Sequence, residues 1–100
     1  METELAYRDA SLPIQTRIAD LLGRMTLEEK LAQLGSVWSF ELFRGEDELD
    51  PELLQSRLAE GIGQISRVAG GTNLGPAAAA DAGNAIQRFL VGETRLGIPA

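Results

Sequence analysis

Residues 61–100, GIGQISRVAGGTNLGPAAAADAGNAIQRFLVGETRLGIPA, constrain the fold more than any other stretch. Ile62, Ile65 and Val68 suit a short buried strand. Gly70, Gly71, Asn73 and Gly75 break it. Pro76 then opens a helix at the one place where its missing N–H leaves no bond unmade. Ala78, Ala82, Ala85, Ile86, Phe89 and Leu90 give that helix an inner face. Gly92 is placed to end it, and Leu96 to Ala100 begin a second extended segment. Strand, helix and strand in that order is the crossover unit of a parallel sheet. The sequence predicts an α/β fold with a polar lead over 1–10, helices over 11–60 and a β-α-β start over 61–100. No partner strand for 62–68 can be read from the sequence, and two open edges are a template for aggregation.

The upstream helices follow from local chemistry. Tyr7 is the residue of the lead best suited to pack on the body. Ser11 is placed to cap a first helix with Pro13 in its first turn. Ile14, Ile18, Leu21, Leu22 and Met25 fall on one face of it. Thr26-Leu27-Glu28-Glu29 has the form of a capping box, in which Thr26 and Glu29 satisfy each other's amides. Leu27, Leu31 and Leu34 then make a buried stripe, and Gly35 ends the second helix. The stretch from Ser36 to Gly45 keeps no single period and predicts no firm element. Asp50-Pro51-Glu52 supplies a cap, a proline at the first position and an acid in the first turn. A third helix therefore runs to about Glu60, burying Leu54 and Leu58.

Composition excludes several kinds of chemistry. Nine Lys and Arg against fifteen Asp and Glu give a net charge of −6, the wrong sign for a nucleic-acid binder. The chain has no cysteine and no histidine. That removes a disulfide framework, a thiolate or imidazole metal site and any Ser/His or Cys/His nucleophile pair. No cofactor is expected. No apolar run approaches the roughly 20 residues that span a bilayer. The start, METELAYRDASL, lacks a basic region followed by an apolar one, so the expected location is cytoplasmic.

Candidate site residues are few. Ser66 and Arg67 stand at the carboxyl end of the expected strand, the end that faces ligand in parallel sheets and barrels. Arg67 is the candidate substrate contact, with a salt bridge at the sheet rim as the other reading. Trp38 can stack on a sugar ring or pack as a core or interface aromatic. The loop from Gly70 to Gly75 precedes a helix but carries neither phosphate-binding glycine pattern. Glu28 and Glu29 point about 100° apart on a helix and cannot flank one substrate. Glu46, Asp47 and Glu48 lack the alternating spacing of a calcium loop and read as a solvated turn. Asn84 and Gln87 sit on the crossover helix, where hydrogen bonds to neighbouring loops are the expected role.

The run from Arg17 to Leu34 resembles the N-terminal signature of glycoside hydrolase family 3, R-x-x-D-L-L-x-R-M-T-L-E-E-K-x-x-Q-L. Gly61 to Arg67 is similar to that family's first barrel strand, Asn84 to Leu90 to the helix after it, and Glu93 to Pro99 to the lead into its second strand. The resemblance covers about Tyr7 to Ala100. It implies the N-terminal helices and first β-α unit of a (β/α)8 TIM-like barrel, with residues 1–100 reaching only the start of the second strand. Such a barrel typically takes ~250 residues. The rest of the barrel and an α/β sandwich domain are the implied partners. The implied activity is retaining, exo-acting hydrolysis of terminal β-glucosides or β-xylosides in carbohydrate metabolism. Two carboxyl groups perform it; in the family both lie beyond the part matched here, so residues 1–100 carry no catalytic residue by this resemblance. The alternative is a short, non-catalytic helical interaction module derived from that family.

Overall fold

The computed structural model describes residues 5–45 and 47–100; Glu46 of the acidic run and the first four residues of the lead fall outside them. A 3-10 turn over Ala6–Arg8 precedes helix α1, Ile14–Arg24. Ser11 does not cap α1. Its amide and hydroxyl both donate to the Asp9 carboxylate, at 2.9 and 2.6 Å, and Pro13 holds the cap position instead. Helix α2, Leu27–Gln33, starts on the expected capping box: Glu29 N–H donates to Thr26 Oγ1 at 3.1 Å, and Thr26 N–H to Glu29 Oε1 at 2.9 Å.

Both apolar stripes differ from expectation. Ile14, Ile18 and Leu22 of α1, and Leu27 and Leu31 of α2, are exposed; Leu34, just past α2, reaches 86%. Their periodicity makes one face apolar, as expected, but the described residues leave most of that face uncovered, Leu21 and Met25 being only half-buried. Polar links attach these helices to the rest of the molecule. The Tyr7 hydroxyl and Arg8 Nη2 donate to the Leu96 carbonyl at 2.7 and 2.9 Å. Arg95 pairs with the Glu29 carboxylate, which is 4% exposed, and also donates to the Arg24 carbonyl at 2.6 Å.

The segment left without an element forms strand β1, Ser36–Trp38, then a 3-10 turn over Ser39–Leu42. A short antiparallel ribbon follows, β2 (Phe43–Arg44) against β3 (Glu48–Leu49). Helix α3, Pro51–Leu58, begins on Asp50, whose carboxylate accepts from the Glu52 amide at 2.9 Å. Leu54 and Leu58 are buried as expected. Strand β4 is Gln64–Ser66, shorter than the 62–68 read from the sequence.

β4 is not a lone strand. It pairs in parallel with β1, in the register Ser36↔Gln64, Val37↔Ile65 and Trp38↔Ser66. The crossover that a parallel pair requires is therefore the α3 region, upstream of the one expected. One β4 edge is satisfied by β1, which corrects the reading of two open edges. Side chains alternate across a strand. Val37 and Ile65 face the core; Ser36, Trp38, Gln64 and Ser66 share the opposite face.

Helix α4, Pro76–Glu93, continues through Gly92 to Glu93. It buries Ala79, Ala82, Ile86 and Leu90, whereas Ala78 is exposed. Ala82, Ile86 and Leu90 join Val37, Leu42, Phe43, Leu54, Leu58 and Ile62 in one core. The expected second strand does not form over residues 94–100. Instead the Gln87 side chain clips the backbone of Ala100, donating to its carbonyl and accepting from its amide, both at 2.9 Å. This is the role expected of Gln87, a bond from the helix to a neighbouring segment.

Candidate functional site at the carboxyl end of the parallel pair

The carboxyl ends of β1 and β4 lie side by side because Trp38 and Ser66 are register partners. The sequence-predicted candidate, Arg67, follows β4 directly and is exposed. Its guanidinium carbon lies 5.4 Å from the centroid of the Trp38 ring. A cation over an indole face at an exposed position contributes about 0.5–1 kcal/mol. The rim salt bridge read as the alternative is thus replaced by an aromatic partner. Phe40 extends the cluster: its ring centroid is 6.0 Å from that of Trp38, with 29° between the planes. Trp38 and Phe40 keep 47% and 54% of their surface open.

The backbone beneath this cluster is held in an unusual shape. Arg67 has φ +58°, the left-handed region that costs a side-chain-bearing residue roughly 1–2 kcal/mol. Two bonds hold it there. Its carbonyl accepts from the Ser39 hydroxyl at 2.7 Å and from the Gly71 amide at 2.7 Å. Ser39 is fully buried, so its hydroxyl has no water to turn to. Gly71 is required by space: a Cβ there would lie 2.7 Å from Ser39 Oγ and 3.0 Å from the Arg67 carbonyl. The Glu41 carboxylate accepts from the Trp38 amide at 2.9 Å and pairs with Arg57 at 3.4 Å, fixing the turn that carries Phe40.

Sequence reasoning placed Arg67 and singled out Trp38, but it did not bring them together. Their contact depends on β1, whose three residues are too few to show a period. Phe40 and Ser39 carried no signal of their own. The other candidates do not join this site. Glu28 is exposed on α2, and Glu29 is committed to its cap and to Arg95. That arginine holds the Glu29 carboxyl below its ordinary range, and the Thr26 amide adds to the effect. Among the described residues, no group of His, Cys, Asp and Glu is arranged to hold a metal ion. No helix among them is long and apolar enough to cross a membrane. What the cluster offers is two half-exposed stacked rings with a guanidinium over one of them, at the carboxyl end of two parallel strands.

No protein-family model matches the chain. Over 98 residues it is 34% identical to a protein of Formosa agariphila named "Putative beta-xylosidase". The match covers 94% of this chain and 13% of that protein, so the chain spans about an eighth of its relative's length. Nearly the whole chain is thereby similar to a small part of a protein named as a glycosidase.

Proposed function

We propose that these 100 residues are the N-terminal part of a retaining, exo-acting β-glycosidase that removes terminal β-xylosides or β-glucosides in carbohydrate metabolism. The observation that carries this reading is the 34% identity to a protein named for β-xyloside chemistry, sustained over 98 residues. The strand–helix–strand crossover from β1 to β4, followed by the long helix α4, is the kind of unit from which a (β/α)8 barrel is built. Arg67 at the carboxyl end of β4 then contacts substrate.

The chemistry needs two carboxyl groups, which the resemblance places outside residues 1–100. One attacks the anomeric carbon and displaces the glycosidic oxygen, which takes a proton from the other. Water then attacks the glycosyl-enzyme, gives its proton to the second carboxylate and frees the first. The apolar faces of α1 and α2, exposed in this chain, are where the remainder of the barrel or the sandwich domain packs.

The test is proton NMR during hydrolysis of 4-nitrophenyl β-D-xyloside by the polypeptide purified from its natural source. The β-anomer of xylose appears first if the reading holds. The α-anomer first would exclude retention. No release of xylose or glucose from their β-glycosides would favour the non-catalytic interaction module instead.

A further inference from the structure

We infer that Glu29 is a latch: the carboxylate that caps helix α2 also holds the chain leaving α4, so the start of α2 and residues 94–97 open and close as one unit. The inference does not rest on the glycosidase reading. Glu29 is 4% exposed, the one charged side chain buried among the described residues. Further chain packed on this face adds to that burial and cannot undo it.

A buried carboxylate is tolerated only while its lone pairs are matched. Glu29 divides its own between two partners far apart in the sequence. Oε1 accepts from the Thr26 amide at 2.9 Å and from Arg95 Nη2; Oε2 accepts from Arg95 Nε at 3.2 Å. The first bond belongs to the capping box, and the other two form a bidentate fork across 66 residues. The Arg95 side chain is 55% exposed, and a pair exposed on both sides would contribute little. Here the buried member decides. Loss of Arg95 leaves a charge below the surface with only its cap donor, and a shift of the cap turns the carboxylate away from Arg95.

The chain leaving α4 is fixed at three consecutive residues, each against the N-terminal part. Arg95 Nη2 also donates to the Arg24 carbonyl, 2.6 Å away at the end of α1. The buried Leu96 presents its carbonyl to the Tyr7 hydroxyl and to Arg8 Nη2. Gly97 has φ +66°, and a Cβ there would lie 2.6 Å from Arg8 Nη2 and 2.8 Å from the Val91 carbonyl oxygen. Helix α2 has seven residues, too few to be stable by itself. None of them joins the apolar core. Its carboxyl end is held by the bond from the Gly63 amide to the Ala32 carbonyl, and its amino end is tied down through Glu29. Segments with few apolar contacts open as cooperative units before the whole fold does. Two such segments that share one group are coupled in both directions.

The test is hydrogen exchange, read by mass spectrometry on the full natural polypeptide and its T26A, R95Q, R95K and E28Q variants. The α2 amides from Lys30 to Leu34 report the helix. The Gly97 amide, which donates to Thr94 Oγ1 at 3.3 Å, reports the chain leaving α4. T26A should speed exchange at Gly97 about fivefold, the worth of a helix cap, although Thr26 has no bond to residues 94–97. R95Q should speed exchange in α2 about tenfold, although Arg95 lies outside that helix. R95K keeps the charge without the planar fork and should fall between R95Q and the unaltered protein. E28Q changes the exposed neighbouring acid and should move neither reporter. Amides around Ile86 and Leu90 should keep the unaltered rate in all four variants. T26A with Gly97 unmoved, or R95Q with α2 unmoved, overturns the latch. So does acceleration spread evenly to Ile86 and Leu90, because the opening would then be that of the whole fold. Should T26A fail to fold, R95Q and R95K carry the comparison on α2.

Discussion

Gly63 is the position where one added methyl group should do the most damage. It lies just before β4, against the end of α2. A Cβ built there meets the Gln33 carbonyl oxygen at 2.0 Å, its carbon at 2.9 Å and the Gly35 carbonyl oxygen at 3.1 Å. Real Cβ contacts essentially never fall below 3.0 Å, so two backbone segments must part by at least 1.0 Å, the difference between 3.0 and 2.0 Å. Neither segment is a flexible side-chain end. Parting them breaks the bond from the Gly63 amide to the Ala32 carbonyl, 3.2 Å long, for about 1 kcal/mol. It also disturbs Ile62, which is 92% buried, and the Val37–Ile65 pairing. Overpacking of this kind costs typically 1–3 kcal/mol, so Gly63→Ala should lose about 3 kcal/mol in all. In urea, with m near 1.5 kcal/mol/M, the midpoint should fall by about 2 M. Gly83→Ala is the internal control. It lies inside α4 with nothing within 4 Å of the added carbon, and should gain about 0.5–1 kcal/mol. Equal midpoints for the two variants would refute the close-packing argument.

Stability should also fall in acid. Arg95 lowers the Glu29 carboxyl from its ordinary 4.5, and the Glu52 amide lowers the Asp50 carboxyl from 3.8, so both contributions are full above those values and are lost as the pH drops through the folded ones. Glu29→Gln should flatten the decline below about pH 4.5 in pH-dependent thermal melts; an unchanged profile would remove Glu29 from the account. Leu58→Ala empties a fully buried site in the core and should cost about 2–4 kcal/mol by urea denaturation. Ile18→Lys, by contrast, alters a residue that is 45% exposed and should change the stability of the 100-residue chain by no more than about 0.5 kcal/mol. A large loss there would mean that the α1 face is covered within this chain.

How much was legible depended on the range of the interaction. Caps are written within four residues, and both Thr26 with Glu29 and Asp50 with Pro51 were read correctly. Helix α4 announced itself by a proline start and a long run of small and aliphatic residues. Ser11 misled because Asp9, two residues earlier, competes for its hydroxyl. The stripes of α1 and α2 show the limit of periodicity: it identifies an apolar face but not whether anything packs on it. β1 has three residues between a helix and a 3-10 turn, too short to alternate visibly, so its pairing with β4 was hidden. Without that pairing, the contact between Trp38 and Arg67, 29 residues apart, had no local signature. The same holds for Arg95 and Glu29, separated by 66 residues.

The measurement that tests the account most directly is the intact mass of the polypeptide as it occurs in its natural source. If the proposed reading holds, these residues should be found in a chain several times heavier than the 10.7 kDa they make up. A natural polypeptide of 10.7 kDa would contradict it, because the resemblance places both catalytic carboxyl groups beyond residues 1–100.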